Sequence, residues 1–434
     1  MSARGRRVRA ALRHEESKEA SSIFFEEWYS KNRARTEALF DLIADEAYYS
    51  RPIDLRHPIV FYEGHLPAFS FNTLVKRGLR GPSIDPELET LFARGIDPSE
   101  EEAGRSNRHS WPSRKAVQQF AAEADRRVRE ALQRTDLDRP GDPLLHRSEA
   151  VFAILEHEAM HQETLAYMFH RLPLNQKRRP ASYSPIVTGE VPAEAWIDVP
   201  TGVATLGADE QGLRFGWDNE RPHRLEAVAG FAIQQHNVTN ADYLEFVKSG
   251  GQPPAFWEKS GDNWYWRGMF DLVPLPMSWP VYVSQADATA YARWRGHRLP
   301  SEAEFQRAAY GTPGGAEYFY PWGTSSPSPA HGVFDFASWD PHPAGSHPAG
   351  RSAWGVDDLI GNGWEWTRSV FSPFPGFRPI PSYPEYSADF FDGEHFVMKG
   401  ASPVTARELI RPTFRNWFRP RYPYVYATFR CVRS

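Results

Sequence analysis

The sequence predicts an α+β protein in two parts, a helical bundle followed by a loop-rich domain of short strands. Up to about residue 172, long apolar runs recur at three- and four-residue spacing, the period of an amphipathic helix. From about Ala193 the texture changes to short β-like pieces, Gly, Pro and Asn turns and many of the 15 Trp. Between them, Lys177-Arg178-Arg179-Pro180 and Pro185 read as a linker. The expected boundaries are a disordered basic tail at 1–16, a four-helix bundle at 17–175, a linker at 176–194 and the second domain at 195–434.

The elements follow in order. Phe24, Phe25, Trp28, Tyr29, Leu39, Phe40 and Ile43 place a first helix from about Ser17 to Tyr49. Pro52 and Pro58 break the chain before a strongly apolar second segment, Ile59 to Asn72, with His65 in its middle. Gly81 to Arg114 is rich in Pro, Gly and acids and reads as surface loop. Val117, Phe120, Ala121, Ala124, Val128 and Leu132 line one face of a third helix, and Val151 to Leu172 forms the fourth. In the second domain, Thr239, Ser284 and Ser301 each precede an acid by three residues and signpost short helices. Gly296 and Gly311 are expected to stop the second and third of these.

Composition narrows the function. A chain of 434 residues, 41% hydrophobic and 24% charged, can bury real cores in two or three domains. A net charge of −5 argues against a general nucleic-acid binder. The one cysteine, Cys431, excludes an intrachain disulfide, a thiolate-built zinc site and an iron–sulfur cluster. Any metal must therefore sit on His and carboxylate. No apolar run approaches the roughly 20 residues of a membrane helix. No apolar segment follows Arg4, Arg6, Arg7, Arg9 and Arg13, so a secretory signal is not expected, and the expected compartment is the cytoplasm.

The fourth helix carries Glu156-His157-Glu158-Ala159-Met160-His161-Gln162-Glu163. Histidines four apart stack on one helix face, where one metal ion can take both. Such a pair can also be plain bundle core. Glu156, Glu158 and Glu163 are expected as second-layer acceptors that fix the imidazole tautomers. A four-helix bundle builds metal sites from facing helices, so the second helix can present His65 as a third ligand. A lone His on an apolar face is otherwise a satisfied core residue.

Ordered motifs in the second half resemble the formylglycine-generating-enzyme domain, a relative of the C-type lectin fold. They are Val238-Thr239-Asn240-Ala241-Asp242-Tyr243, Arg298-Leu299-Pro300-Ser301-Glu302-Ala303-Glu304-Phe305, Tyr320-Pro321-Trp322-Gly323, Gly361-Asn362-Gly363-Trp364-Glu365-Trp366-Thr367 and Phe429-Arg430-Cys431. The formylglycine oxidase holds copper with a cysteine pair, which a chain with one Cys lacks. The first half looks like a DinB-type bundle. Its Gly64-His65 and His157-Glu158-Ala159-Met160-His161-Gln162-Glu163 resemble the three-histidine iron site of the ergothioneine-sulfoxide synthase family, and Thr413-Phe414-Arg415-Asn416-Trp417 resembles that family's substrate motif.

The resemblance implies a DinB-like four-helix bundle joined to a formylglycine-generating-enzyme-like, C-type-lectin-like domain. It implies Fe(II) on His65, His157 and His161, with O2 as co-substrate. It implies hercynine, the trimethylated histidine betaine, as acceptor of sulfur or selenium at imidazole C2, with Asn416, Trp417 and Phe418 contacting the substrates. A trimethylammonium has no N–H to donate and asks for aromatic faces. The departures point to the donor. γ-Glutamylcysteine-using members follow Asn-Trp with an aspartate, where this chain has Phe418. The family glutamine inside the histidine motif is Met160 here, and the family tyrosine shortly after Trp-Glu-Trp-Thr has no match at Val370-Phe371-Ser372. Lost polar grips and added aromatics resemble the selenoneine synthase branch, which uses a seleno-sugar. The alternatives are an ergothioneine-type synthase using cysteine, γ-glutamylcysteine or a thio-sugar, a zinc peptidase built on His157-Glu158-Ala159-Met160-His161 with Glu158 as base, and a non-catalytic lectin-like binder.

Overall fold

The computed structural model describes residues 3–93, 111–134, 136–209 and 211–433, with side chains from residue 21 onward. The chain forms two compact units, Met1–Arg178 with Pro381–Tyr383, and Arg179–Ile380 with Pro384–Ser434. The division falls inside the stretch read as a linker.

The first unit is the helical bundle. Helix α1 runs Ala3–Phe40 and α2 runs Ile59–Ser70. A π-helical stretch, Phe71–Gly78, continues α2, and α3 spans Pro86–Leu91. Helices α4, Arg114–Leu132, and α5, Glu149–Arg171, follow. Helix α2 packs on α4 and α5, and α1 packs on α5. Apart from Glu63 and His65, α2 is almost wholly apolar, and Ile59, Val60, Phe61 and Leu66 are fully buried. On α5, Val151, Ala153, Ile154, Leu155 and Leu165 do the same.

Three boundaries differ from expectation. Helix α1 starts at Ala3, inside the stretch read as a disordered tail, because Arg, Ala, Leu and Glu there are good helix formers. It ends at Phe40 instead of Tyr49, and Asp45–Ala47 forms a separate 3-10 turn. The Gly81–Arg114 stretch is not all loop. Asp85 caps α3, accepting from Glu87 and Leu88 N–H at 3.1 Å, with Pro86 at the first helical position. Residues 94–110 of that stretch lie outside the described residues.

The second unit is the short-stranded domain. Strands β1 (Trp196–Val199), β2 (Gly202–Leu206), β3 (Arg224–Val228) and β4 (Phe231–Gln234) open it. Helix α6 (Asn240–Lys248) precedes a meander of β5 (Trp257–Ser260), β6 (Asn263–Arg267) and β7 (Leu272–Pro274). Helices α7 (Gln285–Trp294) and α8 (Glu302–Tyr310) follow. Then come β8 (Gly363–Val370), the short α9 (Glu385–Ala388), β9 (Phe396–Ala401), β10 (Asn416–Phe418), β11 (Ala427–Thr428) and β12 (Val432–Arg433). The principal sheet has the order β10-β9-β8-β11, and β12 closes a second sheet in the order β1-β4-β12. Val199, Ile233, Phe305, Leu359 and Val432 meet in its core.

The expected caps are present. Thr239 and Ser301 each form a reciprocal box with Asp242 and Glu304, and Ser284 caps α7. Gly296 stops α7 with φ of +73°. Gly311 also ends its helix, as the cap of α8 after Tyr310, but without the left-handed conformation, since its φ is −68°. It is glycine because a Cβ there would lie 2.6 Å from the Arg307 carbonyl oxygen. Cys431 is buried, and burial pushes its thiol up to about 12, so it is core filler and not a nucleophile.

Candidate metal centre and substrate motif

Helix α2 supplies His65 and α5 supplies His157 and His161. The three are buried, and one ligand atom from each lies within 4.8 Å of the others. Ring centroids are 5.1 Å apart for His65–His157, 4.9 Å for His65–His161 and 4.4 Å for His157–His161. The four-residue spacing on α5 produces the last of these directly.

The electrostatics suit a cation and not free histidines. His65 Nδ1 donates to the Phe92 carbonyl at 2.7 Å, which leaves Nε2 with its lone pair. That Nε2 and both ring nitrogens of His157 and His161 are buried without a hydrogen-bond partner among the described residues. Burial pulls His65 down to about 4, against the Phe92 hydrogen bond. Burial holds His157 and His161 well below the usual histidine range, helped by His161 and His65 at His157 and by His65 and Arg56 at His161. Three neutral imidazoles with orphaned nitrogens fit a divalent transition metal with coordination positions to spare. Imidazole nitrogen suits iron and equally suits zinc, copper or nickel.

Among the described residues, none of the expected acceptors Glu156, Glu158 and Glu163 takes a hydrogen bond from a ring nitrogen of the triad. Glu158 turns away, accepting from Arg33 Nη1 at 2.9 Å and Thr36 Oγ1 at 2.7 Å on α1. Burial pushes its carboxyl up, and the Arg33 guanidinium opposes that. The acceptor at His65 is a backbone carbonyl instead. Backbone groups leave no trace in residue identity, but Gly64 does. A Cβ at Gly64 would meet three Phe92 ring atoms at 2.5 Å, so only glycine lets Phe92 approach.

The Thr413–Trp417 motif lies in the second unit and is held from behind by buried charge. Arg411 pairs with Glu220 through contacts of 2.7 and 2.5 Å, and Thr413 Oγ1 donates to the same carboxylate at 2.5 Å. Arg415 grips Glu302 at 2.9 and 3.1 Å. Lys399 Nζ donates to the Pro412 and Phe414 carbonyls, and burial pulls it down to about 8. Asn416, Trp417 and Phe418 form β10, paired with β9. All three are half-buried. Asn416 Oδ1 accepts from Trp417 N–H at 2.9 Å. The Trp417 ring stacks on Phe371 at 4.2 Å and 6°, with Tyr386 and Phe390 at 5.2 and 5.6 Å. Arg415 lies over Phe371 at 4.9 Å. Phe418 stacks on Tyr422 at 5.0 Å.

Comparison with known proteins follows this division. Residues 184–434 match the sulfatase-modifying factor enzyme 1-like domain family, and residues 29–165 match the DinB superfamily. Hercynine oxygenase of Mycolicibacterium thermoresistibile is 30% identical over 431 residues, covering 92% of each chain. The chain belongs to the hercynine oxygenase family. The Mycolicibacterium smegmatis hercynine oxygenase is 33% identical over 311 residues, 64% of this chain and 70% of that one. Ergothioneine biosynthesis protein 1 of Schizosaccharomyces pombe is 27% identical over 444 residues, covering 91% of this chain, which spans 54% of the yeast protein's length.

Family membership and the Glu158 contacts together set aside the zinc-peptidase reading. A general base must reach a metal-bound water, and this carboxylate is anchored on α1 through Oε1, which accepts from Arg33 and Thr36, and is not one of the clustered ligand groups.

One residue near the centre escaped the sequence. Tyr383 belongs to the helical unit, although it comes late in the chain. Its ring lies 6.0 Å from that of His157 and 5.2 Å from Phe69. Val370-Phe371-Ser372, where the family pattern calls for a tyrosine, holds none, and no local pattern marks Tyr383 on its loop.

Proposed function

We propose that the protein uses Fe(II) and O2 to join a chalcogen donor to C2 of the hercynine imidazole, with a seleno-sugar as the favoured donor. His65, His157 and His161 hold the metal, with His65 acting through Nε2. Family membership supports hercynine as the acceptor, and the observation that carries the metal assignment is the orphaned, neutral imidazole triad. Bound iron supplies the O2 activation that an unreactive imidazole C2–H requires.

The chain's own groups bind and orient. The rings of Trp417 and Phe390, backed by the buried Phe371 and Tyr386, suit a trimethylammonium, which recognises π-faces without hydrogen bonds. The buried Arg411–Glu220 and Arg415–Glu302 pairs fix β10 from behind. Tyr383 brings a phenol towards the centre beside His157. The seleno-sugar preference rests on Phe418 and its Tyr422 stack, an apolar face for a sugar ring where an amino-acid donor calls for a carboxylate. A thiol donor is the second reading.

The test is anaerobic reconstitution with Fe(II) and hercynine, then O2 with cysteine, γ-glutamylcysteine, a thio-sugar or a seleno-sugar. Product mass identifies the donor, and the seleno-sugar adduct is expected to dominate. His161→Ala is expected to abolish iron binding and turnover together. Turnover without iron, or no hercynine consumption with any donor, removes this reading.

A further inference from the structure

The three histidines are not held alike. A metal-bound imidazole keeps one nitrogen for the ion, and the other ordinarily donates to an acceptor that fixes ring rotation and tautomer. His65 has such an acceptor in the Phe92 carbonyl. Among the described residues, His157 has no hydrogen-bond partner on either ring nitrogen. Its rotation must be set by packing.

Phe69 provides that packing. Its ring lies face to face with His157 at a centroid distance of 3.5 Å and an interplanar angle of 9°. Phe61, His65 and Phe69 recur every fourth residue and share one face of α2. One helix therefore delivers both the ligand His65 and the ring that lies on a ligand from α5.

Phe69 is itself half-buried and is braced by Tyr383 at 5.2 Å and 60°. The Tyr383 segment is tied down at its backbone. Arg77 donates to the Pro381 and Ser382 carbonyls at 2.9 and 3.0 Å. Glu149 Oε1 accepts from Ser382 N–H at 2.9 Å. The Ser382 side chain is fully buried.

We propose that Phe69 is the positioning residue of His157, doing by ring stacking what a hydrogen-bond acceptor does at His65, and that Pro381–Tyr383 is the brace that holds Phe69 in place. This rests on the reading that the triad binds a metal. Loss of the Phe69 face frees the His157 ring to rotate, and the metal loses a preorganised ligand. A purely apolar substitute of similar volume fills the space without blocking that rotation.

Equilibrium binding of Fe(II), measured anaerobically on the full chain against a competing chelator, tests this without reference to activity. Wild type is expected to bind one ion, and failure to do so removes the triad reading itself. Given that ion, Phe69→Leu is expected to bind about 10–100-fold more weakly, the usual cost of losing an outer partner of a ligand. Phe69→Tyr, which keeps the face, is expected to restore wild-type affinity. Arg77→Met, at an exposed position that should not disturb folding, is expected to give a smaller loss in the same direction. The ligand-field bands of the Co(II)-loaded protein should shift in Phe69→Leu. Unchanged affinity in Phe69→Leu, or a loss that Phe69→Tyr does not restore, overturns the assignment. Unchanged affinity in Arg77→Met overturns the brace.

Discussion

His65 and Phe92 are joined by a hydrogen bond of 2.7 Å from ring Nδ1 to backbone carbonyl, and the side chain missing from Gly64 is what permits it. Gly64→Ala places a Cβ 2.5 Å from the Phe92 ring. The ring must move, and its carbonyl moves with it. Overpacking of this kind costs about 1–3 kcal/mol of stability. The sharper expectation is a loss of metal affinity of about tenfold or more, as for other outer-partner substitutions. Metal titration of a variant that remains folded decides the point, and wild-type affinity there would detach the carbonyl from the site.

Tyr383 combines a packing role and a hydroxyl, and one substitution separates them. Tyr383→Phe keeps the edge contact to Phe69. Iron affinity should therefore hold, while single-turnover rates with hercynine and donor fall by about 10²-fold or more, the range for removal of a proton-transferring group. Equal turnover in the two proteins leaves Tyr383 with packing alone.

The two layers of the site differed in how far the sequence revealed them. His157 and His161 were legible because the helix period forces residues four apart onto one face. Their relation to His65 needed the bundle, since only packing of α2 on α5 brings the two helices together. The layer behind them was misread. Glu158 looked like an imidazole partner by proximity in sequence, yet its carboxylate is claimed by Arg33 and Thr36 on α1. The true acceptor, the Phe92 carbonyl, is a backbone group that no residue pattern encodes. Tyr383 was hidden for a related reason, because a loop residue reaches its place through tertiary ties at Arg77 and Glu149 and not through any period. In the second unit the short helices announced themselves through Thr239, Ser284 and Ser301, whose caps are local chemistry. The buried Arg411–Glu220 pair is 191 residues apart and left no local signal.

Glu158→Gln follows from that misreading. The Arg33–Glu158 pair is buried on both sides. Removing the charge leaves Arg33 facing a neutral amide, and breaking a buried pair costs about 3–5 kcal/mol. Glutamine keeps an acceptor for Thr36, so the cost should fall at or below that range. The expected phenotype is a lower unfolding midpoint with iron stoichiometry retained. Peptide hydrolysis by wild type that vanishes in Glu158→Gln at unchanged stability would restore the peptidase reading.

Asp218 provides a pH test in the second unit. It is buried beside Ser387, whose hydroxyl donates to it, and burial raises its pKa to about 6. A carboxyl with a folded pKa above its unfolded value holds more protons in the native state between about pH 4 and 6. Stability from this group is therefore present below pH 4 and lost as pH rises through 6. The penalty at pH 7 is roughly 3 kcal/mol for a shift of about two units. Asp218→Asn keeps an acceptor for Ser387 and cannot ionise. Its stability relative to wild type should rise by up to that amount between pH 4 and pH 7, measured by urea unfolding. Parallel pH profiles for the two proteins would mean that the native carboxyl titrates normally.

Phe418 governs the donor on the present reading, and its geometry makes that testable without touching the metal. It pairs with Phe396 across β9 and β10 and stacks on Tyr422 at 5.0 Å and 19°. Tyr424 adds its edge to Tyr422 at 5.0 Å. An aromatic face favours a sugar ring, and it gives the N–H groups of a primary ammonium no anionic acceptor. Phe418→Asp removes the face and adds an anion that can pair with the amino group of γ-glutamylcysteine. Discrimination between the two donors is a difference in transition-state binding, and one lost apolar contact is worth about 1–3 kcal/mol of it. The ratio of kcat/KM for seleno-sugar over γ-glutamylcysteine should fall by about tenfold or more, with the KM for hercynine little changed. A ratio that stays fixed while both donors weaken together would make Phe418 a support for β10, and donor choice would then have to be sought elsewhere in the chain.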